Sequence, residues 1–247
     1  MCEICESENR IRESGTSRRA VLRAFAASAA AGLIWGDPAR AEAAKKMPKP
    51  QNVLSPDAAL DRLRKGNQRY VEGISRRHDF KHEREALVGG QNPYAAILSC
   101  ADSRIAPEYA FDSGRGDLFV CRVAGNFAND DTVASMEYAI SVLSVPLILV
   151  LGHDACGAVD ATIKSIKDNT TLPGHLPSLV AALAPAVKGV SQQKGNLLDN
   201  AIRQNVIDNI AKLKSATPIL SAAVEQKKLR VVGGIYRLKD GKIDMTA

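Results

Sequence analysis

The clearest structural signal in the sequence is the unbroken apolar run Pro146-Leu147-Ile148-Leu149-Val150-Leu151, which directly precedes the polar sequence 152–154. A short run without alternating polar positions predicts a strand that is covered on both faces of a sheet. Runs of the same kind lie at 94–99, 118–123 and 229–235. The sequence therefore predicts a sheet whose strands are buried on both sides.

Helical patterns alternate with these runs along the chain. They cover 131–143, 156–167, 176–187 and a long segment from 197 to about 228, in which Pro218 predicts a break or kink. Continuous apolar strands that alternate with helices are typical of a parallel sheet covered on both faces. We predict the α/β class, with a mostly parallel β-sheet flanked by helices.

Two smaller elements are predicted at the ends of this region. Ser55-Pro56-Asp57 combines an N-cap serine, a proline at the first helical position and an acid in the first turn. It predicts an N-terminal helical arm that continues to about Glu72. Lys239-Asp240-Gly241-Lys242 is typical of a hairpin turn and predicts a short antiparallel strand at the C-terminus. We find no second domain boundary and expect 55–247 to form one domain.

Composition excludes several classes of protein. The 247 residues are 45% apolar and 24% charged, which is ordinary for a globular chain. The net charge of +6 comes from 33 Lys and Arg against 27 Asp and Glu. Because these basic residues are scattered and aromatic residues are few, we expect no nucleic-acid partner. Five cysteines, an odd number in a chain this long, do not fit a disulfide scaffold.

The first 41 residues have the pattern of an export signal. Arg18 and Arg19 precede an uncharged, Ala-rich run of 12 residues at 24–35. That run is too short to span a bilayer, which takes about 20 apolar residues. Ala39-Arg40-Ala41 then offers a small-x-small cleavage pattern, with 41–43 as a competing register. An amphipathic or buried helix is the alternative, but it explains neither the arginine pair nor the cleavage pattern.

The arginine pair resembles the twin-arginine type of signal. We therefore expect a cleaved signal peptide at 1–41, a linker at 42–54 and a protein that is periplasmic or secreted after passage through the twin-arginine export machinery. No stable membrane anchor is expected. Cleavage would remove Cys2 and Cys5, so their Cys-x-x-Cys spacing has no predicted role in the mature protein. Three cysteines remain, at positions 100, 121 and 156.

The residues that can carry chemistry follow two of the predicted strands. They lie in Ser99-Cys100-Ala101-Asp102-Ser103-Arg104 and in Gly152-His153-Asp154-Ala155-Cys156-Gly157. Ligand sites in such sheets form at the carboxyl ends of strands. Two thiolates and one imidazole suit Zn²⁺, and a set of three protein ligands leaves one position open for catalysis. Taken singly, each cysteine could instead be a small buried residue and the histidine a structural one.

Together these motifs resemble the beta-class carbonic anhydrases: Cys-x-Asp-x-Arg is followed farther along the chain by His-x-x-Cys. The segments 117–126 and 135–139 agree with that family. The resemblance implies that Cys100, His153 and Cys156 bind one Zn²⁺ per chain. It also implies reversible hydration of CO2 to bicarbonate by zinc-bound hydroxide, in at least a homodimer or a higher homo-oligomer. One known motif is absent, because Ile97 stands where some bacterial members have the Trp of an inhibitory bicarbonate site.

The resemblance also assigns roles around the metal. Arg104 would keep Asp102 ionised, and Asp102 would accept a hydrogen bond from the hydroxide or, in a closed form, become a fourth metal ligand. The residues assigned to the substrate cleft are Gln91, Phe119, Tyr138 and Gly157. Core packing would equally explain Phe119 and Tyr138, and Gln91 could be a surface residue. Outside the site, Arg122 is expected to be a structural charge with a buried partner.

Three alternative functions follow from the same residues. Relatives with this zinc framework hydrolyse carbonyl sulfide or carbon disulfide, and the ligands alone do not separate these substrates. A non-catalytic zinc protein, closed by Asp102, would leave Arg104 without a purpose. A nucleobase deaminase would need His-x-Glu and Pro-Cys-x-x-Cys, and neither occurs in the chain.

Overall fold

The structure, a computed structural model, describes residues 52–246. Its centre is a five-stranded sheet in the order β2-β1-β3-β4-β5. The strands are β1 Ala95–Ser99, β2 Leu118–Arg122, β3 Leu147–His153, β4 Arg230–Tyr236 and β5 Ile243–Met245. The first four are parallel, and β5 pairs antiparallel with β4. The predicted fold class and the predicted C-terminal strand are both confirmed.

Eight helices surround this sheet in the described part of the chain. They are α1 Pro56–Val71, α2 Phe80–Ala86, α3 Pro107–Ala110, α4 Asp130–Ser141, α5 Gly157–Lys167, α6 Leu176–Gly189, α7 Leu197–Ser215 and α8 Ile219–Glu225. The predicted break at Pro218 is confirmed, since it separates α7 from α8. The single turn of α3 was not predicted, because four residues are too few to show a helical period.

Alternate residues of β3 belong to two different core layers. Ile148 and Val150 pack in the layer that contains the buried residues of α4, α6 and α7. Leu147, Leu149 and Leu151 pack on the other face, with residues of α1. Both faces of the strand are covered, and all its residues are buried. This explains why its sequence is an unbroken apolar run rather than an alternating one.

The prediction that all four strands are buried on both faces is wrong for β2. The sheet order places β2 at an edge, where β1 is its only partner strand within residues 52–246. Its first four residues are half-buried and Arg122 is exposed. An edge position cannot be read from an apolar run, because the run shows how apolar a strand is and not how many neighbours it has.

The helical arm α1 is attached to the rest of the domain by a buried amide. The Asn67 side chain donates to Ala110 O at 3.0 Å and to Gly241 O at 2.8 Å. Its oxygen accepts the Ile243 N–H at 3.0 Å. Within the stretch 42–54, Asn52 is also buried, and it donates to Asp117 Oδ1 at 3.0 Å. The chain is thus anchored to the domain three residues before α1 is capped by Ser55.

The predicted signal peptide at 1–41 lies outside the described residues and stays a prediction. Among the helices of 52–246, none is long and apolar enough to cross a bilayer.

The Asn67→Ala variant tests whether α1 is an integral part of the fold. It leaves two buried carbonyls and one amide without their partner, and each such group costs about 1–3 kcal/mol. We expect the free energy of unfolding, measured by urea titration, to fall by at least that amount. Gln68→Ala is the control, since Gln68 is exposed on the same helix and should change stability by at most about 0.5 kcal/mol. Equal stability of the two variants would contradict the assigned role.

Candidate metal centre

Two neighbouring strands and one helix bring three ligand side chains together. β1 and β3 are parallel neighbours, with Ser99 paired to Leu151. Cys100 directly follows β1, His153 is the last residue of β3, and Cys156 caps the N-terminus of α5. The two sulfurs and a ring nitrogen all lie within 4.8 Å of one another, and all three residues are buried. The structure therefore brings these residues together at the carboxyl ends of the strands, as the sequence predicts.

The His153 ring is oriented for a cation. Its Nδ1–H donates to the Asp154 carbonyl at 2.8 Å, which leaves Nε2 as the free ligand atom. Nε2 is buried, and it has no hydrogen-bond partner among the described residues. Burial lowers the pKa of this imidazole, but Cys100, the Asp154 carbonyl and Asp102 together outweigh burial, so the net pKa shift is upward. A backbone bond to one nitrogen and an unpartnered second nitrogen are typical of a metal-binding histidine.

The two cysteines compete for one proton. A hydrogen bond from Cys156 lowers the pKa of the Cys100 thiol, and the same bond, with burial, raises the pKa of Cys156. The Gly125 N–H also donates to Cys100 Sγ, at 3.3 Å. Both sulfurs could be ionised together only beside a compensating positive charge, which a divalent cation would supply. Two sulfurs and one imidazole form the donor set that Zn²⁺ prefers, so the residues fit that ion.

The Asp102–Arg104 pair stands beside this cluster. Arg104 donates from Nε to Asp102 Oδ1 at 3.0 Å and from Nη2 to Oδ2 at 2.7 Å. These bonds, helped by the Arg104 backbone N–H, hold the pKa of Asp102 well below its usual range. Asp102 Oδ2 is also 3.8 Å from His153 Nε2. An ionised carboxylate thus faces the cluster while both its oxygens are bound by a guanidinium.

Arg122 holds the backbone beside the cluster. The sequence predicts a structural charge with a buried partner, and Arg122, although itself exposed, bonds to two backbone carbonyls, one of them on the buried residue Cys100. Nε donates to Cys100 O at 3.0 Å, and Nη2 donates to Asp102 O at 2.7 Å. Arg122 therefore fixes the segment that carries the first ligand and the carboxylate. An arginine at the end of an apolar strand was the signal for this role.

The other predicted cleft residues do not all meet the cluster within one chain. Phe119 and Tyr138 contact each other, with ring centroids 6.3 Å apart. Phe119 pairs with Ala96 near the start of β1, whereas Cys100 follows the end of that strand. Gln91 is exposed and precedes β1, so it too lies toward the amino ends of the strands. Only Gly157 adjoins the cluster, as the first residue of α5, with open space where a side chain would begin.

Comparison with known proteins agrees with this geometry. The family model for carbonic anhydrase matches residues 95–243. Carbonic anhydrase 2 of Mycobacterium tuberculosis is 39% identical over 189 residues, covering 76% of this chain and 91% of that protein. The carbonic anhydrase of Mycolicibacterium smegmatis is 35% identical over 192 residues, covering 77% of this chain and 93% of that protein.

Solved structures give the same result. The beta-carbonic anhydrase CcaA superposes with a TM-score of 0.58 at 29% identity, covering 76% of this chain and 98% of that one. A tetrameric beta-carbonic anhydrase of Sordaria macrospora superposes with a TM-score of 0.60 at 26% identity, covering 67% of this chain and 86% of that one. Because the family model matches more than half of this chain, the chain belongs to the carbonic anhydrase family, in the beta class.

Proposed function

We propose that the protein catalyses the reversible hydration of CO2 to bicarbonate and a proton, with one Zn²⁺ per chain held by Cys100, His153 and Cys156. The single observation that carries this proposal is the buried Nε2 of His153, which has no hydrogen-bond partner in residues 52–246, on a ring that has a nitrogen within 4.8 Å of both sulfurs. The matched relatives from two mycobacteria are themselves named carbonic anhydrases.

Zinc in such a site supplies hydroxide at neutral pH, because it lowers the pKa of water. Asp102 then orients the nucleophile. Being ionised, Asp102 can only accept hydrogen bonds, so it would accept a hydrogen bond from the single O–H of the hydroxide and leave an oxygen lone pair directed at the carbon of CO2. Two thiolates donate more negative charge than neutral histidines would, so the site depends on this orientation.

Arg104 keeps Asp102 available for that role. It donates to both carboxylate oxygens, and it donates a longer bond from Nη2 to Ala155 O at 3.4 Å. A carboxylate bound in this way is not free to serve as a fourth metal ligand. This arrangement favours an enzyme over the alternative of a closed, non-catalytic zinc protein.

The substrate cleft is completed, in this proposal, by a second copy of the chain. Three cleft residues lie toward the amino ends of the strands, whereas the metal ligands of the same chain lie at the carboxyl ends: Gln91, Phe119 and Tyr138. They are therefore available to the site of a neighbouring copy. Gln91 would donate to the substrate oxygen on which charge develops, and the two rings would form an apolar wall. Assembly of the solved relatives from Sordaria macrospora into tetramers supports a homo-oligomer.

Export through the twin-arginine route is the last part of the proposal. A site built from two thiolates is best loaded with metal in a reducing compartment, where Cys100 and Cys156 do not form a disulfide. The twin-arginine route moves proteins that are already folded, so zinc can be bound before export. We accordingly place the mature protein in the periplasm or outside the cell.

The Cys156→Ser variant tests the metal site. We expect the purified wild-type protein to keep one Zn²⁺ per chain after dialysis and Cys156→Ser to lose both the metal and CO2 hydration, because one of three ligands is gone. Elemental analysis and stopped-flow assay measure the two. Cys121→Ser is the matched control, since Cys121 lies on β2 outside the cluster and should keep both.

Full zinc content in Cys156→Ser would contradict the ligand assignment. The same wild-type preparation should be assayed with carbonyl sulfide and carbon disulfide. Faster turnover of either than of CO2 would replace the proposed substrate while leaving the zinc site in place.

The Arg104→Ala variant tests the carboxylate pair. Without the guanidinium, Asp102 is free to bind the metal and block the open position. We expect Arg104→Ala to retain zinc and to lose CO2 hydration by about 10–100-fold. Arg237→Ala is the control, because it breaks another arginine–aspartate pair, with Asp244 at 2.7 Å, on the protein surface. Turnover of Arg104→Ala at the wild-type rate would refute the role.

Replacing Arg18 and Arg19 together by Lys tests export. The double variant keeps the charge of the leader but removes the arginine pair, so we expect it to stay in the cytoplasm, folded and zinc-loaded. Cell fractionation and zinc analysis measure this. The control replaces Arg10 and Arg12 by Lys and should be exported normally. Processing of the Arg18/Arg19 variant to wild-type levels in the periplasm would rule out the twin-arginine route.

A further inference from the structure

The loop between β2 and α4 directly contacts one of the three ligand residues, Cys100. Its Gly125 N–H donates to Cys100 Sγ at 3.3 Å, and Asn126 N–H donates to Val123 O at 2.9 Å, which closes a turn. Gly125 has φ +83°, and a Cβ there would lie 2.8 Å from a methyl carbon of Leu183. Only glycine fits this conformation and this space, so the amide that faces the sulfur depends on the turn around it.

Two buried asparagines of α7 hold that loop. Asn205 Nδ2 donates to Gly125 O at 2.8 Å. Asn209 Oδ1 accepts the Ala128 N–H at 2.7 Å. Asn205 is 2% exposed and Asn209 is 6% exposed. Neither residue was singled out by sequence analysis, where they appear as two polar positions in a long helix.

The two amides also fix each other. Asn209 Nδ2 donates to Asn205 Oδ1 at 3.0 Å and to Asn205 O at 2.7 Å. Since Asn205 Oδ1 is the acceptor in that bond, its Nδ2 faces the Gly125 carbonyl. Lys212 Nζ extends the series by donating to Ala128 O at 2.6 Å. The three side chains are spaced at i, i+4 and i+7, which places them on one face of the helix.

Burying two amides in an apolar layer is costly unless their hydrogen bonds are made, and these bonds go to the loop and to each other. We infer that Asn205 and Asn209 are positioning residues for the metal centre: they hold the loop so that the Gly125 N–H points at Cys100 Sγ. The amide thereby fixes the direction of the Cys100 sulfur relative to the other two ligands. Outer-shell groups that orient ligands in this way strengthen metal binding, and their loss weakens it.

This inference rests on the proposed zinc site, and its test begins with metal affinity. Asn205→Ala removes the donor to Gly125 O. The matched control is Asn200→Ala on the same helix, where the lost side chain donates to Lys194 O at 3.1 Å, away from the cluster. Zn²⁺ affinity is measured by competition with a chromophoric chelator, on protein whose folding is checked by circular dichroism. We expect Asn205→Ala to bind Zn²⁺ about 10–100-fold more weakly and Asn200→Ala to match the wild type.

The Co²⁺-substituted proteins provide a second readout that a purely structural role would not change. The thiolate-to-cobalt charge-transfer band should shift in Asn205→Ala and stay unchanged in Asn200→Ala. A folded Asn205→Ala that is less heat-stable but has wild-type metal affinity and an unshifted band would overturn the inference. Should Asn205→Ala fail to fold, Asn209→Ala allows the same comparison, because it frees the Asn205 amide to rotate.

The wild-type protein itself gives a test that needs no variant. With ¹¹³Cd in the site, a hydrogen bond from Gly125 to Cys100 Sγ should produce a scalar coupling between that amide proton and the metal in the NMR spectrum. Absence of this coupling would overturn the inference while leaving the zinc site intact. A wild-type protein that binds neither Zn²⁺ nor ¹¹³Cd would instead refute the proposed function.

Discussion

The site depends on one constraint: β1 and β3 are hydrogen-bonded neighbours that run in the same direction. Parallel strands end at the same edge of a sheet, so the residue after β1 and the last residue of β3 must be close in space. That pairing brings Cys100 to His153, although 52 residues of chain separate them. Cys156 then needs only the short turn into α5 to join them.

Charge determines what is built around this edge. Two thiols and a carboxylate lie close together, and like charges at such distances cannot all be ionised without compensation. Arg104 compensates the negative charge of Asp102 by binding both carboxylate oxygens. Arg122 binds the backbone carbonyls of Cys100 and Asp102. The arginines therefore leave the sulfurs as the groups that still require a cation. Because Arg104 already binds both oxygens of Asp102, this carboxylate can lie beside a metal ion without becoming one of its ligands.

Much of this was predictable because it depends on local chemistry. An unbroken apolar run such as 147–151 identifies a strand, and Pro218 identifies the break in the long helical pattern that follows Leu197. The ligands could be chosen because they lie at or just beyond the carboxyl ends of two strands, where Cys, Asp, Arg and His are informative residue types.

What could not be predicted depends on the order of strands and on contacts between distant elements. Nothing within the sequence of β2 shows that it lies at the edge of the sheet, so the predicted burial on both faces is wrong for this strand. Asn205 contacts Gly125 from 80 residues away, and an asparagine in a helix has no pattern that reveals its partner. The position of Gln91 relative to the ligands could not be predicted either, because it also depends on how distant elements pack.

The separation of Phe119 and Tyr138 from Cys100 in their own chain has a consequence for how catalysis responds to concentration. If the walls of a cleft come from a second copy, a dissociated protomer keeps its ligands but loses the surface that receives the gas. Specific activity then falls on dilution while metal content stays constant. Mixed assemblies of a ligand-defective chain and a wall-defective chain would likewise regain some activity, because one of their sites combines the intact halves of both.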